Sequence, residues 1–207
     1  MSASHSKKPK LVLIAGPNGS GKTTFVSKAS TVGQFGILVN ADQIALSIAR
    51  RKGEDKPSHE TQFDAAKSAE EMRWALLSQH VSFATETVMS DKDRWMTFVA
   101  EAKDQGYQIT LYFFTTVHPT INIDRVIERS LAGGHSVDAS KIVSRYYKVM
   151  NEVLPVMLTK VDEAVLFDNS DPEMGAVGVL QLNNGKLIPL IDVDLLPQWA
   201  KSLLETF

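Results

Sequence analysis

The run Gly16-Pro17-Asn18-Gly19-Ser20-Gly21-Lys22-Thr23 constrains this chain more than any other stretch. It has the form G-x-x-x-x-G-K-T, follows an apolar run at 11–15 and precedes a helical pattern that starts at Lys22. Strand, loop and helix in that order are the context that turns the spacing into a phosphate-binding loop. The glycines let the backbone turn tightly, so that successive N–H groups face the β- and γ-phosphates of a nucleotide. The helix N-terminus behind them adds partial positive charge. Gly16, Asn18, Gly19, Ser20, Gly21 and Thr24 are expected to cradle the nucleotide, Lys22 to bridge its phosphate oxygens, and Thr23 to ligate Mg²⁺.

The rest of the chain alternates strand and helix. Apolar runs at 11–15, 37–40, 81–86, 109–114 and 163–167 have the length and continuity of parallel strands covered on both faces. Helical patterns lie between them. The one at 59–79 presents Phe63, Ala66, Met72, Trp74, Leu76 and Leu77 as its apolar faces, and another at 93–105 stops at Gly106. Two more, joined by Gly133-Gly134, occupy about 118–154 and read as a lid. Asn183-Asn184-Gly185 between two apolar runs predicts a β-hairpin, and a last short helix is expected over 197–206. The prediction is α/β: a P-loop NTPase fold with a five-stranded parallel sheet flanked by helices, a helical lid and a C-terminal hairpin. Its ligand sites fall at the strand C-termini. Residues 1–9 read as a disordered basic tail, and 10–207 as one P-loop domain.

Composition removes several alternatives. With 207 residues, 43% hydrophobic and 22% charged, the chain suits one α/β domain. A net charge of −2 gives no global field to attract nucleic acid. The chain has no cysteine, which excludes disulfides and thiolate chemistry and fits a cytoplasmic protein. No apolar stretch is long enough for a membrane span. The five histidines, His5, His59, His80, His118 and His135, show no metal-ligand spacing.

A phosphate loop holds a nucleotide without choosing an acceptor, so the acids at neighbouring strand tips matter. Asp42, just past 37–40, is placed to take a proton from an attacking hydroxyl; its other reading is a first-turn acid of the next helix. Asn40 can fill the cap instead, which frees Asp42. Glu86, with Thr87 after it, can orient the acceptor or sit near Mg²⁺, or be a hydrogen-bonding strand end. Arg125 and Arg129 share one helix face, and Arg145 lies on the next helix. They either close over the transferring phosphoryl group or form surface ion pairs. Asp168-Asn169-Ser170 either approaches the nucleotide base or makes a plain turn.

In their order along the chain these elements resemble the zeta toxin family of P-loop kinases, in its compact stand-alone branch. The matched residues are Gly16–Thr24, Asn40-Ala41-Asp42, Phe83-Ala84-Thr85-Glu86-Thr87, Arg125-Val126-Ile127-Glu128-Arg129, Gly133-Gly134-His135-Ser136-Val137, Arg145-Tyr146 and Asp168-Asn169-Ser170. The resemblance implies an ATP- and Mg²⁺-dependent phosphotransferase. Asp42 is then the base, Arg129 and Arg145 the lid arginines, and Glu86 and Thr87 face the acceptor. Family members studied as toxins phosphorylate UDP-N-acetylglucosamine on a sugar hydroxyl, and a small helical antitoxin commonly covers their nucleotide site. Two positions depart from those toxins: Asn40 stands where they have Asp, and Val88 where they tend to have Thr. The alternatives are a metabolic or antibiotic P-loop kinase, and a nucleotide-gated binding module without transfer activity.

Overall fold

The computed structural model describes residues 8–31, 36–131, 134 and 137–207. Most of the expected basic tail, with His5 and Lys7, lies outside the described residues, as do Gly133, His135 and Ser136 of the lid turn. In chain order the elements are β1 (Lys10–Ala15), α1 (Lys22–Thr31), β2 (Ile37–Val39), α2 (Ala41–Lys52), α3 (His59–Ser78), β3 (Phe83–Thr87), α4 (Lys92–Asp104) and β4 (Gln108–Thr115). There follow α5 (Pro119–Leu131), α6 (Ala139–Lys148), α7 (Leu154–Leu158), β5 (Glu163–Asp168), β6 (Val177–Asn183), β7 (Lys186–Pro189) and α8 (Gln198–Thr206). Among the described residues no helix is long and apolar enough to cross a membrane.

Alternation within β1 shows why the sheet needs two layers of helices. Leu11, Leu13 and Ala15 belong to one core cluster, and Val12 and Ile14 pack with the other. The larger cluster takes Trp95, Phe98 and Val99 from α4 and Met157 and Leu158 from α7. On the opposite face Phe25 of α1 lies 4.8 Å from the Phe114 ring, which stacks on Phe167 at 4.5 Å. The strand order is β2-β3-β1-β4-β5-β6-β7, and the first five strands are parallel, as expected. The hairpin does not stand apart: β6 pairs antiparallel with β5 and extends the sheet to seven strands. Its turn puts Asn184 at φ 50° and Gly185 at φ 71°, the left-handed pair that a two-residue hairpin requires.

Two expectations are corrected. The buried side of α3 is not the set of large apolar residues. It is the row Thr61, Ala65, Ala69, Arg73 and Leu77, spaced by four and mostly small. Phe63, Met72 and Trp74 are exposed, because a row of small side chains brings the helix axis close to its neighbours and leaves the bulky groups on the flanks. The second lid helix also does not end near 154. It passes through a π-helical turn, Val149–Val153, and continues as α7.

Candidate active site

The site lies at the C-terminal ends of β1, β2 and β3, where the parallel order opens a crevice. The loop after β1 is held from outside as well as by its own turn. Asn122 of α5 donates from Nδ2 to Asn18 O at 2.6 Å, and Asn169 donates from Nδ2 to Ser20 O at 2.9 Å. Gly21 has φ 95°, and a Cβ there would lie 2.1 Å from Asn169 Nδ2, so a side chain at this position is strained and displaces the Asn169 amide. Lys22 is buried, and its ammonium donates to Gly16 O and Pro17 O, both at 2.8 Å. Burial pushes its pKa down to about 8; Glu86 and Asp42 oppose the fall and Arg129 adds to it. Ser20 Oγ is buried with no hydrogen-bond partner among the described residues. An ammonium and an orphaned hydroxyl beneath the free first-turn amides of α1 form a donor set without an acceptor anion, which fits the phosphates of a nucleotide.

The carboxylates are arranged around Glu86. Thr23 Oγ1 donates to Glu86 Oε1 at 2.8 Å, and Asn40 Nδ2 donates to Glu86 Oε2 at 2.6 Å. Burial pushes Glu86 up, against the pull of Lys22 and the Thr23 hydroxyl. A hydroxyl and a carboxylate oxygen meeting at the end of the loop are hard oxygen ligands of the kind Mg²⁺ takes. Asn40 also caps α2, its Oδ1 accepting from the amides of Asp42 and Gln43 at 2.8 and 3.1 Å. The cap is therefore Asn40, and the Asp42 carboxylate makes no hydrogen bond or ion pair among the described residues. It lines the same cleft as Lys22, Thr23 and Glu86, a space of about 320 Å³. Thr87 also lines it, with its hydroxyl accepting from the Met89 amide at 2.9 Å.

The three arginines of α5 and α6 separate into two settings. Arg129 and Arg145 both line the cleft, and Arg145 reaches Asn18 Oδ1 at 3.4 Å. Arg125 instead donates to Asn169 O at 2.6 Å, tying α5 to the loop after β5. Helices α5 and α6 are tied through Thr116, which donates from Oγ1 to Asn122 and accepts at its carbonyl from Tyr146 Oη at 2.5 Å. Asp168 does not line the cleft and accepts from Trp199 Nε1 at 2.7 Å. Thr24 is exposed on the first turn of α1 and does not line the cleft.

Sequence reasoning missed the far wall of the cleft, formed by Arg73 of α3 with Arg94 and Trp95 of α4. A signal was present: Arg73 interrupts a row of small buried residues at spacing four, where a charged side chain needs a reason.

Residues 2–172 match the family model described as Zeta toxin. An uncharacterized protein of Haemophilus influenzae is 26% identical over 137 residues, covering 66% of this chain and 92% of that protein. The crystal structure of the AvrRxo1-ORF1:AvrRxo1-ORF2 complex with sulphate ions matches with a TM-score of 0.72 at 18% identity, over 96% of this chain and 64% of that one. The same complex with ATP gives 0.70 at 18% identity, over 89% and 61%. The PezAT toxin–antitoxin system of Streptococcus pneumoniae gives 0.58 at 17% identity, over 98% and 79%. At such identities the structural likeness is one of fold, and the chain spans less than two thirds of the AvrRxo1 complex chain that it matches.

Proposed function

The chain belongs to the zeta toxin family of P-loop kinases, and from that premise we propose that it transfers the terminal phosphoryl group of ATP to a hydroxyl of a sugar nucleotide, such as UDP-N-acetylglucosamine, or of a related metabolite. The observation that carries this reading is the state of Asp42. Its helix is capped by Asn40, so its carboxylate stands uncommitted in the cleft that holds the phosphate-loop lysine.

In this reading the Asp42 carboxylate takes the proton of the acceptor hydroxyl as that oxygen bonds to the γ-phosphorus, and the bond from phosphorus to the β,γ-bridging oxygen breaks to release ADP. Lys22 leaves the carbonyls of Gly16 and Pro17 to hold the phosphate oxygens. Arg129 and Arg145, carried on α5 and α6, approach the equatorial oxygens and exclude water. Thr23 and Glu86 would hold Mg²⁺, whose charge neutralises the phosphates. A small helical antitoxin is the partner we extend to this chain, since PezAT is a toxin–antitoxin system.

The test is mass-spectrometric detection of phosphorylated UDP-N-acetylglucosamine formed by purified protein with ATP and Mg²⁺. Asp42→Asn should lower the rate about 10²–10⁴-fold while leaving nucleotide affinity intact. Full activity in that variant would remove Asp42 as the base. Asn40 and Val88, where the sugar-nucleotide toxins differ, favour a related metabolite as the second acceptor class.

A further inference from the structure

The far wall of the cleft comes from α3 and α4, beyond the residues that carry the family resemblance. Arg73 is only 9% exposed. Its guanidinium carbon lies 5.1 Å from the centroid of the Trp95 ring, and among the described residues it makes no hydrogen bond or ion pair. Its neighbour Arg94 is paired with Glu70, whose charge also reaches Arg73 without a direct contact. Burial, and then the nearness of Arg94, push Arg73 down to about 10 against the pull of Glu70, which leaves it cationic at neutral pH. A buried cation without a matching anion is unfavourable unless a ligand brings the missing charge. Both arginines open into the cleft that holds Asp42.

We propose that Arg73, with Arg94 beside it, is the specificity-determining anion subsite of the acceptor pocket, where the phosphates of the acceptor are held. The proposal rests on the kinase reading in taking this cleft as the acceptor's. A guanidinium offers a planar fork that matches two phosphate oxygens, and its contact with the Trp95 ring restrains it before the ligand arrives. Two adjacent guanidinium groups suit a doubly charged group better than a single carboxylate. A neutral sugar would leave Arg73 buried and unmatched, so the site should discriminate against it.

The experiment is calorimetric titration of the full chain with its loop saturated by Mg²⁺ and β,γ-imido-ATP. The probes are UDP-N-acetylglucosamine, inorganic pyrophosphate and N-acetylglucosamine. The two phosphate-bearing probes should bind and the neutral sugar should not. Arg73→Gln should weaken both by about 30-fold or more and leave imido-ATP affinity unchanged. Arg94→Gln, at a half-exposed position that leaves the core intact, should act in the same direction. The proposal is overturned if wild type binds no pyrophosphate, if the neutral sugar binds as tightly as the sugar nucleotide, or if either variant binds pyrophosphate as wild type does. Failure of the kinase reading looks different: no phosphorylated product forms, while pyrophosphate binding still depends on Arg73.

Discussion

Replacing Asn40 by Asp preserves one of its two contacts and inverts the other. The cap is kept, because an Asp oxygen accepts from the amides of Asp42 and Gln43 as well as the Asn oxygen does. The 2.6 Å contact with Glu86 changes from N–H donating to a carboxylate into oxygen facing oxygen. Two full charges at that separation repel by about 6 kcal/mol at an effective dielectric of about 20. Keeping one proton on the pair costs at most about 5 kcal/mol even at pH 8, from about 1.36 kcal/mol per unit above the ordinary Glu value of about 4.3. Proton retention wins, so the native variant binds one proton more than wild type. A group raised in the folded state stabilises fully below its unfolded pKa and loses that contribution as pH rises towards its folded one. Between pH 6 and pH 8 the variant should therefore fall behind wild type by about 2.7 kcal/mol. For a chain of this size that is a relative loss of roughly 5–11 °C in Tm. Thermal denaturation of both proteins by circular dichroism, with EDTA present, measures it. An Asn40→Asp deficit equal at the two pH values would refute the shared proton and with it the geometry around Glu86.

Affinity for β,γ-imido-ATP should fall about tenfold per pH unit above pH 8, as the depressed Lys22 ammonium loses its proton, and Lys22→Arg should remove that slope in a calorimetric titration. Stability should move the other way: a lysine depressed in the folded state is penalised while charged, so wild type should gain on Lys22→Met from about pH 8 to about pH 10.4. Gly21→Ala should cost about 1–3 kcal/mol in urea denaturation and weaken nucleotide binding, since its Cβ displaces the Asn169 amide that holds Ser20 O. Gly53→Ala has the same left-handed strain, φ 70°, with nothing within 4 Å, and should cost only about 1 kcal/mol with binding kept. Arg129→Ala and Arg145→Ala should each lower kcat by about 10³-fold or more with imido-ATP affinity within a few-fold of wild type, read in single-turnover assays.

The parts legible in the sequence are those where one residue type answers one local demand. Continuous apolar runs gave the five parallel strands because both sheet faces are covered, and Asn-Gly gave the hairpin because few other pairs reach its φ values. Asn40 is one of the caps that position allows, and the fold selects it, with Asp42 in the first turn behind it. What stayed hidden depends on where a helix lies relative to its neighbours. Periodicity marked α3 as helical, yet its large residues drew attention away from the row of small ones that faces inward, and so from Arg73. The π-helical turn has no sequence signature, and neither does the attachment of the hairpin to β5. Arg125 shares a helix face with Arg129, but only the fold shows that the loop after β5 claims it.

The link between Trp199 and Asp168 has a consequence in time. Asp168 accepts from the Trp199 indole at one oxygen and from the Ser170 amide at the other, and Asn169 between them grips the Ser20 carbonyl of the phosphate loop. Residues 16–23 emerge during translation well before Trp199 does. The growing chain thus carries its phosphate loop without the completed brace until Trp199 has been made. Docking of α8 supplies the final strut. Prematurely terminated products would hold every motif residue through Arg145 and still lack this anchor. Translation and completion of the site run in opposite directions along the chain.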